Sequence, residues 1–313
     1  MKDSRNSVRN EFERFFRSNS KVSIYKPLFL KSLLDLGDFK EKEGSQWIKD
    51  NGDSLIVDLE FIAVRFIYFC YPLYYKFRLK PQFGIKSILS YKIFEEFNVF
   101  PIKSKSNVTK VEFSKNKYID ARSRLIKDGI SKTVFNLLLK DCNIYSKIDS
   151  YTFEISKENV RYLLEHKHQL TKALNHELSL FLGTINNSPN IPAKLQEKQR
   201  RSKIDPSISL ENIKLANFRC FYCEKQFKKF HQDHFIPWNF VYTDEKHNLV
   251  PACEKCNCSK NDKLASKEFL EKIIKRNQNL KMSDGYSESS MRNEWENCRL
   301  YYHGENEPLW QHA

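Results

Sequence analysis

Two cysteine pairs, Cys220-Phe-Tyr-Cys223 and Cys253-Glu-Lys-Cys256, are separated by 29 residues in this 313-residue chain. A gap of two lets a tight turn offer both thiolates to one metal, and two such pairs complete a tetrahedral Zn²⁺ site. Four thiolates leave no open coordination position, so such a zinc is structural. Cys258 competes with Cys256 for the fourth place; the spacing favours Cys256 and leaves Cys258 as a small buried residue. Disulfides are the alternative use of eight cysteines. The N-terminal run MKDSRNSVRNEFERFF has no apolar stretch and no cleavage signal, so a cytoplasmic location is expected, where paired thiols serve metals.

A knuckle of this kind requires nothing between its pairs, yet the intervening residues are chemically specific. Asp233-His234 is followed by Pro237, and Asn248-Leu249 precedes the second pair, which runs into Asn257 with Lys260 three positions later. In this order and spacing, residues near 215–265 resemble the HNH endonuclease family of the ββα-metal superfamily. That family's pattern is a cysteine pair, Asp-His with proline three after the His, Asn-Leu, and a second pair running into His or Asn, then Lys. Asn257 stands where His is the more common choice. The loop after Pro237 reads WNFVYTDEK where glycines are common, which leaves its path and substrate contacts open.

The resemblance implies a catalytic Mg²⁺ or Mn²⁺ held through oxygen by Asp233 and Asn257, a ligand type that suits hard cations. It implies His234 as general base; an imidazole titrating near pH ~6.5 is substantially neutral at physiological pH. Asn248 would fix the intervening loop through backbone hydrogen bonds, and Lys260 would contact substrate phosphate. The zinc ligands would be Cys220, Cys223, Cys253 and Cys256. DNA is the expected substrate, with RNA cleavage, or a catalytically silent zinc-stabilised nucleic-acid-binding module, as the alternatives. The segment from Leu178 to Ser202 and the tail around Gly304 and Trp310 resemble larger bacterial proteins often tied to defence against foreign DNA, where a protein partner is also expected.

The charge balance agrees with a polyanionic partner: 53 Lys and Arg against 39 Asp and Glu give a net +14. Residues 191–230 hold ten basic against four acidic side chains, a local +6 just ahead of and across the first cysteine pair. The only candidate membrane segment, Phe61 to Tyr75, is too short to span and contains Arg65, so a buried helix is expected and no membrane partner.

An α+β organisation follows. Residues 1–186 read as a mainly helical region for target or partner recognition, with helices at 5–17, from Pro27 to Gly37, from Ser54 to Lys80 with a bend at Pro72, and at 85–97, 117–128, 131–140 and 157–185. Two β-prone runs within 143–155 suit a hairpin, either the wing of a winged-helix domain or an incidental hairpin on a helical domain. A basic linker at 187–210, the zinc-stapled ββα domain at 211–280 and a helical tail at 281–313 complete the chain.

Overall fold

The computed structural model describes residues 2–17, 23–38, 45–81, 123–132, 134–196, 204–227, 229–280, 286–304 and 306–312. It divides into two compact units, Met1–Tyr75 with Lys80–Ile185, and Lys76–Leu79 with Asn186–Ala313. The helix expected at 85–97 and the first part of that at 117–128 lie outside the described residues.

The N-terminal unit contains α1 (Lys2–Arg17), α2 (Tyr25–Leu33), β1 (Ile48–Asn51), β2 (Ser54–Asp58), α3 (Leu59–Tyr71), a π turn (Leu125–Ile130) and α4 (Val134–Asp141). They are followed by β3 (Ser146–Lys147), β4 (Thr152–Ser156), α5 (Lys157–Glu165) and α6 (Lys167–Ile185). The expected single helix from Ser54 to Lys80 is instead a strand followed by a helix. Alternation along Ser54-Leu-Ile-Val-Asp buries Leu55 and Val57, the period of a half-covered strand. Asp58 then caps α3, its side chain accepting from the Glu60 amide at 2.8 Å. At Pro72 the helix widens into a π turn, since proline removes an internal donor and crowds the preceding turn. Phe61, Ile62, Val64, Phe66 and Ile67 of α3 are all buried. Among the described residues no helix is long and apolar enough to cross a membrane.

The hairpin at 146–156 is present, but it forms one half of a four-stranded antiparallel sheet ordered β1-β2-β4-β3. Its other half is the β1–β2 hairpin, closed by a two-residue turn whose first residue, Gly52, has φ +67°. Phe153 of β4 joins Phe29, Phe135 and Tyr145 in an aromatic core in which the Phe135 and Tyr145 rings stack at 5.7 Å. The helix expected over 157–185 breaks at His166, whose ring stacks on Tyr162 at 4.1 Å.

The C-terminal unit contains α7 (Ile191–Lys194), α8 (Pro206–Leu215), β5 (His231–His234), α9 (Trp238–Val241), β6 (Leu249–Ala252), α10 (Glu254–Lys260), α11 (Lys267–Asn277) and α12 (Glu288–Cys298). β5 and β6 pair antiparallel, with Asp233 opposite Val250 and His234 opposite Leu249. With α10 packed against β5, this is a ββα unit. Its core is shared with the tail: Met291, Trp295, Cys298, Tyr302 and Trp310 cluster with Phe221, Tyr222, Phe235, Val250 and Leu264. Trp310 fixes the tail through backbone bonds, its amide to the Leu264 carbonyl at 2.8 Å and its carbonyl from the Ser266 amide at 2.9 Å. The basic stretch before the first cysteine pair is largely helical where described, and Lys194 within it is buried, which removes that lysine from any phosphate-contacting surface.

Candidate active site

The first cysteine pair sits in a tight turn closed by Glu224 N–H to Cys220 O at 2.9 Å and Cys220 N–H to Lys225 O at 3.0 Å. Glu224 takes a positive φ of 59° to reverse the chain. The second pair straddles the start of α10, with Cys253 as its N-cap residue. The sulfurs of Cys220, Cys223, Cys253 and Cys256 lie within 4.8 Å of one another, and the Cys223–Cys253 separation is 3.9 Å. Zn–S bonds of ~2.3 Å place tetrahedral sulfurs about 3.8 Å apart, so this is a cradle of the right size. Cys258 stays outside it and is exposed, contrary to the buried position expected: one turn of α10 carries Cys256 inward and Cys258 outward.

Behind this cradle, β5 carries Asp233 and His234, both buried. The Asp233 carboxylate accepts two donors on Oδ2, the Tyr222 hydroxyl at 2.5 Å and the Lys260 ammonium at 3.0 Å. Burial, reinforced by the adjacent Asp233 carboxylate, pushes the Tyr222 phenol well above its usual range, so it remains a proton donor. His234 Nε2 lies 2.8 Å from Asp244 Oδ1, a carboxylate on the loop that follows α9. Paired in this way, the imidazole has its ring plane fixed.

Asn248 ends a short 3-10 turn (Lys246–Asn248) just before β6. Its side chain makes a reciprocal pair with Ile236, accepting from the amide at 2.8 Å and donating to the carbonyl at 2.9 Å. That clamp sits two residues past His234 and fixes the departure of the chain from β5. Asn257 lies half-buried on α10, and its side-chain amide makes no hydrogen bond among the described residues.

Lys260 is turned toward β5. It shares α10 with Asn257, but its side chain is fully buried, donating to the His234 carbonyl at 2.7 Å and pairing with Asp233. Helical spacing places a residue on a face without saying whether that face is covered, and here it is covered by β5. An ammonium so enclosed is committed to holding the strand.

The remaining donors suit a hard divalent cation. Asp233 Oδ1 and the Asn257 amide oxygen are hard oxygen donors committed to no hydrogen bond among the described residues. Two residues of this neighbourhood carried no signal in the sequence, Tyr222 and Asp244. Tyr222 was visible only as a polar aromatic between two paired cysteines, and Asp244 as one acidic residue in a polar loop.

A family model described as HNH endonuclease matches residues 220–263, from the first thiol of the cradle to just beyond Lys260. The chain carries an HNH endonuclease domain. No curated protein and no solved structure matches the chain. The HNH segment therefore comprises the thiol cradle, β5, the Asn248 clamp, β6 and α10, with α11, α12 and the tail completing its core from outside the matched region.

Proposed function

We propose that this chain is a metal-dependent endonuclease that hydrolyses phosphodiester bonds in DNA. The observation that carries the reading is the adjacency of buried Asp233 and His234 on β5, with an uncommitted Asn257 on the helix packed against that strand, inside the HNH match. Asp233 and Asn257 would hold Mg²⁺ or Mn²⁺. A cation there supplies charge neutralisation at the phosphorus oxygens and at the departing oxygen.

The protein's own groups do the rest. His234 takes a proton from the attacking water, and Asp244 orients the ring and stabilises the imidazolium that results. Asn248 acts through the backbone of Ile236, keeping the His234 end of β5 in register. Lys260 holds the same end from below through the His234 carbonyl. Pairing Asp233 with one ammonium costs some attraction for the cation.

Defence against foreign DNA, in the cytoplasm, is the role proposed from the resemblance to larger bacterial proteins that carry this domain. The helical N-terminal unit would then select target or partner. The net charge of +14 supports a nucleic-acid substrate without distinguishing DNA from RNA.

The test is cleavage of supercoiled plasmid, single-stranded DNA and RNA by the full chain, with Mg²⁺ or EDTA, beside His234→Ala. Cutting of DNA that needs Mg²⁺ and falls about 10²–10⁴-fold in the variant, with DNA binding retained, is the expected result. Equal cutting by variant and parent would remove His234 as the base. DNA binding with no cutting of any substrate would leave a silent zinc-stabilised binding module, and cutting confined to RNA would change the substrate.

A further inference from the structure

The zinc knuckle carries a polar group besides its thiols. Tyr222 lies between Cys220 and Cys223, is 5% exposed, and donates its hydroxyl to Asp233 Oδ2 at 2.5 Å. Its ring meets Phe269 edge-on at 5.2 Å and Trp310 edge-on at 4.9 Å, so the hydroxyl has little freedom of direction. Lys260 approaches the same carboxylate oxygen at 3.0 Å from the opposite end of the segment. Both donors act on Oδ2, and Oδ1 accepts none among the described residues.

A carboxylate pinned through one oxygen presents the other in a fixed direction. Partners of this kind order metal ligands and raise affinity by reducing what must be organised when the metal arrives. A tyrosine placed here only to fill space would make its ring contacts equally well without the hydroxyl. The hydroxyl is the part those contacts leave unexplained, and it is spent on the one carboxylate assigned to the cation.

We propose that Tyr222 is a positioning residue for the catalytic cation: the zinc knuckle carries it, and through Oδ2 it sets the direction of Asp233 Oδ1. The proposal rests on the endonuclease reading. It makes the structural zinc a determinant of cation affinity as well as of folding, since the two thiols flanking Tyr222 fix where its hydroxyl lies.

The test uses the full chain with zinc bound. Mn²⁺ is titrated calorimetrically, without nucleic acid, into the parent, Tyr222→Phe and Asp233→Asn. Tyr222→Phe is expected to keep the parent's zinc content and melting temperature within a few degrees while Mn²⁺ affinity falls about 10–100-fold. In cleavage assays the Mg²⁺ concentration for half-maximal rate should rise by a similar factor, with the rate at saturating Mg²⁺ close to the parent's. Parental Mn²⁺ affinity in Tyr222→Phe would overturn the positioning role and leave the endonuclease reading intact. Absence of Mn²⁺ binding that depends on Asp233 in the parent would overturn both. Should Tyr222→Phe lose zinc or fold, Phe269→Leu loosens the ring while keeping the hydroxyl; weakened Mn²⁺ binding there supports the role, and parental binding overturns it.

Discussion

Lys194 donates to the Ser188 hydroxyl at 2.6 Å and to the Phe240 carbonyl from a position that is 3% exposed. Burial lowers its pKa to about 7, only partly opposed by the thiol of Cys298 and the carboxylate of Glu294. The unfolded chain holds this proton up to about pH 10.4, so between the two values the unfolded state binds more protons than the folded one. Stability therefore rises with pH from about 7 upward, and the contribution is fully lost below it. Urea melts between pH 7 and 9.5 should show the parent gaining stability relative to Lys194→Met; parallel pH profiles would refute the assignment. At this scale the sequence was legible where residue type recurs at fixed spacing: the four thiols do cluster, and Asp233 and His234 do share β5 within the matched segment. It was not legible where a role depends on what another segment brings. Asp244 reaches His234 only because the loop after α9 folds back, and Lys260 pairs with Asp233 because α10 packs against β5.

Among the elements, β5, β6 and α10 are short, four, four and seven residues, and none is long enough to be stable alone. What sets their register is the thiol cradle at one end and the Asn248 clamp at the other. Cys253→Ser removes one thiol of the cradle, a residue that caps α10 and whose amide meets the Cys220 sulfur at 3.4 Å. The variant should bind no zinc and lose the near-ultraviolet signal of the C-terminal aromatic core, because the free energy of binding a structural zinc is largely folding free energy in such units. Full zinc content with an unchanged spectrum would show that the cradle is not the staple. Element boundaries were harder to read than element types. Ser54–Asp58 was absorbed into the following helix because an apolar run of this length satisfies both periods, and the deciding β1 and β4 partners are remote in sequence. His166 ended a helix without any proline or glycine to announce it.

At the scale of the whole molecule, the chain enters its C-terminal unit twice. Lys76–Leu79 belongs there, with Phe77 edge-on to Tyr242 at 5.4 Å and Arg78 donating to the Tyr302 carbonyl at 2.6 Å. The tail belongs there too, since Trp295 and Trp310 close the core around α11. Neither return was visible in the sequence, where the first four residues read as the end of a long helix and the tail as an appendage. The matched family segment is thus a minority of the unit that supports it, which extends well outside 220–263 on both sides. That core packs around the matched segment while leaving Asn257 half-buried. The most direct measurement is anomalous diffraction from crystals of the full chain soaked in Mn²⁺, recorded at the zinc and manganese edges. The account predicts zinc among Cys220, Cys223, Cys253 and Cys256, and manganese bound by Asp233 and Asn257 beside His234. Zinc in its cradle with manganese bound elsewhere, or nowhere, would contradict it.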